Sequence, residues 1–125
     1  EMASWASAAH NSAQGLHDVL VHELPPLRKQ QFDAILGEDP ALAPRVEEIR
    51  EHDGENRAIA ERLVKQLGAV SDQADKSQAA ETALHDRVEK LTEQGLRLVV
   101  EVRKQSTALD TWIQEAFQRD RGVAD

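Results

Sequence analysis

Steps of three and four residues from Glu81 pick out Leu84, Val88, Leu91, Gly95, Leu98, Val102, Gln105, Leu109, Trp112 and Ala116. This is a nearly unbroken apolar stripe along one side of a helix. Val99, Ile113 and Phe117 widen it toward the C-terminal half, which makes it broader than a two-stranded coiled-coil seam and closer to a bundle face. A helix with such a face is stable only against partners, so the upstream chain has to supply them.

Upstream, residues Ala3 to Leu24 carry a helical pattern with Trp5, Ala9, Ser12, Leu16, Val19 and Leu20 inward and His10 and His17 beside them. The Pro25-Pro26 pair then predicts a kink or a fresh helix start, because neither residue donates a backbone hydrogen bond and Pro26 biases Pro25 toward extended geometry. A short second helix with Leu27, Phe32, Ile35 and Leu36 inside runs to Gly37, a C-cap residue. Gly37-Glu38-Asp39-Pro40 is the clearest turn, with Asp39 as N-cap and Pro40 as the first helical residue.

A third helix is expected to about Leu67, with Leu42, Val46, Ile49, Ala60, Leu63 and Leu67 inward. Its middle is polar where the pattern asks for apolar: His52, Asp53 and Asn56 sit there, with Gly54 among them. A polar layer of this kind can fix register in a bundle without any ligand. Gly68 and Ser71-Asp72 predict the next turn and cap, followed by a weak polar helix start between Gln73 and Ala80. The last helix, continuous to Arg119, would be about 70 Å long against about 40 Å for the third. It must therefore bend near Thr92–Gly95, pack its C-terminal half on the first two helices, or meet a second copy. Residues Arg121 to Asp125 read as a frayed end.

The expected fold is an all-α, up-and-down bundle of three long segments, four helices if the proline break is counted, in one domain spanning 1–125. Composition agrees, with only 3% aromatic residues and no Tyr. The absence of cysteine removes disulfides, thiolate metal sites and cysteine nucleophiles. The net charge of −8 argues against nucleic acid and anionic membrane as partners, since both demand a basic face. With no run near the roughly 18 apolar residues of a membrane span, a cytoplasmic location is expected.

Histidine is the residue type with candidate chemistry. His17 and His22 lie on the first helix, His52 on the third, and His85 on the last, four residues before Glu89 on the same face. Imidazole and carboxylate projected from facing helices suit non-haem iron. The phrase Ile49-Arg50-Glu51-His52, followed by Ala60-Glu61-Arg62-Leu63 and then His85-Asp86-Arg87-Val88-Glu89, resembles half of the ligand motif of hemerythrin-like (HHE) domains. Those are four-helix bundles that bind a di-iron centre and sense or store oxygen or related gases. The resemblance implies His52, His85 and Glu89 as metal ligands, and the metal-binding alternative adds His17 or His22 from the first helix. The ligand set is degenerate: Val21 and Pro26 stand four residues after His17 and His22, and Asn56 four after His52.

No serine sits in a nucleophile elbow, and the glycines are scattered singly rather than grouped as a phosphate cradle. The leading expectation is therefore a non-enzymatic interaction or assembly module that binds a protein partner or itself through the C-terminal helix. Leu109, Trp112, Ile113 and Phe117 are its candidate interface. No cofactor is expected under this reading; iron belongs to the hemerythrin-like alternative.

Overall fold

The computed structural model describes the backbone of residues 2–76 and 81–124, and the side chains of 3–74, 83–116 and 118. The chain is an all-α bundle: α1 (Met2–Asp18), a π-helical turn (Val19–Glu23), α2 (Leu24–Glu38), a 3-10 turn (Pro40–Leu42), α3 (Ala43–Lys76) and α4 (Glu81–Ala124). No strand occurs among the described residues.

Pro25 and Pro26 do not interrupt the helix; they change its pitch. Each proline lacks the N–H that would bond four residues back, and its ring would crowd that carbonyl. The turn just before them is widened, so that the Leu24 N–H donates to the Val19 carbonyl, five residues back. The prolines then occupy the first positions of α2, where a helix needs no donor. A wide turn delays the inward face by about one residue. Hence Leu27, expected inside, is 47% exposed, while Leu24, Arg28, Gln31, Phe32 and Ile35 are buried. Val19 and Ser12, also expected inside, are exposed, and Ala6 is buried.

Asp39 caps as its position demands, its Oδ1 accepting from the Ala41 N–H at 3.2 Å. Pro40 opens the 3-10 turn that leads into α3.

Helix α3 passes through Gly68 and Ser71-Asp72 and ends at Lys76. Gly68 is a packing glycine: a Cβ there would lie 3.2 Å from His10 Nε2. The extra turns give α3 34 residues and about 51 Å, against 44 residues and about 66 Å for α4. Helix α4 is continuous through Thr92–Gly95 and remains helical to Ala124, which takes in all but the last residue of the expected frayed end. Part of the expected polar start of this helix, Gln73–Lys76, belongs to α3. The remainder, 77–80, lies outside the described residues.

Cross-helix contacts set the directions. Trp5 stacks on His85, Arg28 bonds Ser106 and Gln31 bonds Asp110, so α1–α2 and α4 run parallel. Gly68 lies against His10 and Asp53 against Arg28, so α3 runs antiparallel to α1–α2 and hence to α4. The C-terminal half of α4 packs on α2, where Leu109 meets Phe32, Ile35, Val46 and Ile49 in one hydrophobic cluster. A larger cluster at the other end joins Leu20, Leu24, Leu63, Leu67, Val88, Leu91 and Leu98.

Candidate functional site

Three features have the chemistry of a site: the polar layer between the two clusters, the histidines, and a groove between α1 and α4.

The polar layer falls at one level on all three long segments. Along α3 the buried sequence is Val46, Ile49, then Asp53 and Asn56, then Ala60 and Leu63. Along α4 it is Leu98, then Gln105, then Leu109, and on the first segment Leu24, then Arg28 and Gln31, then Ile35. Arg28 Nε donates to Asp53 Oδ2 at 2.9 Å, with the two side chains 4% and 6% exposed. Arg28 Nη1 donates to Gln31 Oε1 at 3.1 Å and to Ser106 Oγ at 3.2 Å. Gln31 Nε2 reaches Asp110 Oδ1 at 3.4 Å, and Asn56 Nδ2 reaches Gln105 Oε1 at 3.5 Å, both long for hydrogen bonds. Arg28 Nη2 and Asp53 Oδ1 have no partner among the described residues.

Asp53 and Asn56 were legible in the sequence because they break an apolar stripe. Arg28 and Gln31 were not, because the π-turn decides which face of α2 points inward; Gln105 stands on the inward stripe of α4, but as a single polar step in an apolar series it does not announce a layer. His52, expected in the layer, is exposed and faces Glu55, Nδ1 to Oε2 at 3.9 Å. That contact is ionic only when the ring is protonated.

The other histidines divide. His85, Asp86 and Glu89 have ligand atoms within 4.8 Å of one another, all exposed on one face of α4. Neither His52 on α3 nor His17 and His22 on the first segment belongs to that group. His17 is half-buried and His22 exposed. The His85 ring stacks against Trp5 with centroids 4.4 Å apart. A di-iron centre inside a helical bundle needs ligands converging from facing helices. These residues do not fit one, since the three that come together share a single helix and point to solvent, and the bundle interior holds the Arg28–Asp53 pair.

Of the C-terminal cluster, Leu109 packs fully into the bundle, and Trp112 and Ile113 do so in part. Leu109 is 0% exposed, so it has no surface with which to meet a partner. Trp112 and Ile113 are half-buried against the Phe32–Leu109 cluster, and the Arg45 guanidinium lies over the Trp112 ring at 5.8 Å. The Phe117 side chain lies outside the described residues.

Apolar surface is exposed elsewhere on α4. Leu96 is 63% and Val100 51% exposed. Leu96 rims a groove of about 370 Å³ between α1 and α4, walled by Trp5, Ala8, Ala9, Ser12, Ala13 and Leu16 on one side and Leu91, Thr92, Gly95 and Val99 on the other. Leu63 and Leu67 of α3 also line it. The small residues of α1 and Gly95 keep the groove open at backbone level. Val99 widens the core stripe in the sequence and could be read there; Leu96 and Val100 belong to a second, shorter stripe that the dominant one obscures.

No helix among the described residues is long and apolar enough to cross a membrane. Comparison with known proteins finds no family model, no curated protein and no solved structure that matches this chain.

Proposed function

We propose that this chain is a non-enzymatic helical assembly module that self-associates through α4. The observation that carries the reading is the pair Leu96 and Val100, two large apolar side chains more than half exposed beside an apolar groove. Isolated surface leucines are ordinary, but an apolar stripe continuous with a concave apolar wall is the anatomy of a docking face.

The polar layer supports the same reading from inside. Its charged pair is buried and bonded to itself, which suits the alignment of three helices better than contact with a substrate. The net charge of −8 favours a protein partner over nucleic acid.

The test is the mass in solution by light scattering across a concentration series, for the wild type and Leu96→Asp. The wild type is expected at a multiple of 13.9 kDa and the variant at the single-chain mass. A wild type that stays at 13.9 kDa at every concentration overturns the proposal.

A further inference from the structure

We infer that two copies of this chain pair their α4 helices antiparallel at the level of residue 98, placing Leu96 against Val100 of the partner subunit and Glu93 opposite Arg103 of the partner subunit. This rests on the self-association reading above and adds the partner's direction and register.

Steps of four and three from Glu89 give Glu93, Leu96, Val100, Arg103 and Thr107, one narrow face of α4. Every one of these residues is exposed. The face is acidic at its N-terminal end, apolar in the middle and basic at its C-terminal end, where Lys104 lies beside Arg103. A helix with that order is complementary to its own reverse. Antiparallel pairing brings the acidic end of each helix onto the basic end of the other and leaves the two apolar residues in register. Parallel pairing in register would stack Glu89 on Glu89, Glu93 on Glu93 and Arg103 on Arg103, like charges in every charged layer. Arg97 and Glu101 do not disturb this match, because they line a separate depression toward Arg62 and Gln66 of α3.

The bundle favours the same direction independently. The groove beside Leu96 lies between α1 and α4, which run parallel, as the Trp5–His85 and Arg28–Ser106 contacts establish. An up-and-down bundle alternates neighbours, so a helix filling the space between two parallel ones is antiparallel to both. The partner's α4 meets that requirement only in the reversed orientation. Leu96 belongs to both the charged stripe and the groove wall, so one approach covers both surfaces.

The chain has no cysteine, so Leu96→Cys and Val100→Cys each introduce a single thiol at an exposed site. Oxidation of the two variants mixed is expected to give a disulfide-linked heterodimer, while each variant alone stays largely uncrosslinked. In parallel, Glu93→Arg or Arg103→Glu is expected to weaken self-association about fivefold or more, with the Glu93→Arg/Arg103→Glu double variant restoring it. Efficient crosslinking of each variant with itself overturns the antiparallel register. A dimer mass without the mixed crosslink overturns it too, while leaving self-association standing. A wild type at 13.9 kDa throughout removes both.

Discussion

Arg28 and Asp53 form a 2.9 Å ion pair inside the bundle, joining α2 to α3 at the level where the hydrophobic core divides in two. Its separate halves are costly and its whole is not. Asp53→Ala leaves a guanidinium buried without its counterion and is expected to lower stability by about 3–5 kcal/mol. Arg28→Met combined with Asp53→Leu removes both charges and should recover most of that loss. Urea unfolding of the three proteins measures it. A double variant no better than the single one would show that the surrounding Gln31 and Ser106 contacts dominate the layer.

The π-turn makes a prediction about neighbouring leucines. Leu24 is buried and Leu27 is 47% exposed, although a regular helix suggests Leu27 as the core residue. Leu24→Ala is expected to cost about 2–5 kcal/mol and Leu27→Ala under about 0.5 kcal/mol. Equal losses on thermal or urea unfolding would place the face of α2 elsewhere.

Glycines within helices separate by what surrounds them. A Cβ at Gly15 meets nothing within 4 Å, so Gly15→Ala should stabilise by about 0.5–1 kcal/mol. Gly68→Ala gains the same helix propensity but presses on His10 Nε2 at 3.2 Å. Its gain should be smaller than that of Gly15→Ala and should rise when His10→Ala is added, a non-additivity readable in a double-mutant cycle.

Metal content follows from the placement of the histidines. His85, Asp86 and Glu89 offer three exposed ligands from one helix, and among the described residues no facing helix contributes another. Protein expressed in iron-supplemented medium and purified without a metal-affinity step is expected to carry less than about a tenth of an iron atom per chain by elemental analysis. One or two atoms per chain, lost in His85→Ala, would reverse that conclusion.

The long apolar stripe of α4 and the polar interruption at Asp53 and Asn56 were determined by the sequence itself, because 3.6-residue periodicity turns spacing into a face. The Asp39-Pro40 cap was equally local, a matter of one side chain and one imino ring. Helix boundaries were less so: Gly68 reads as a stop signal, yet it is needed as space for His10, and only the packing of α1 on α3 reveals that. The partner of Asp53 was decided by tertiary structure alone, since one wide turn before Pro25 carries Arg28 inward and Leu27 outward. Tertiary structure also set the fate of the α4 apolar residues. Spacing says which of them share a face, but only the neighbouring helices decide which faces are covered, and they bury Leu109 while leaving Leu96 and Val100 exposed.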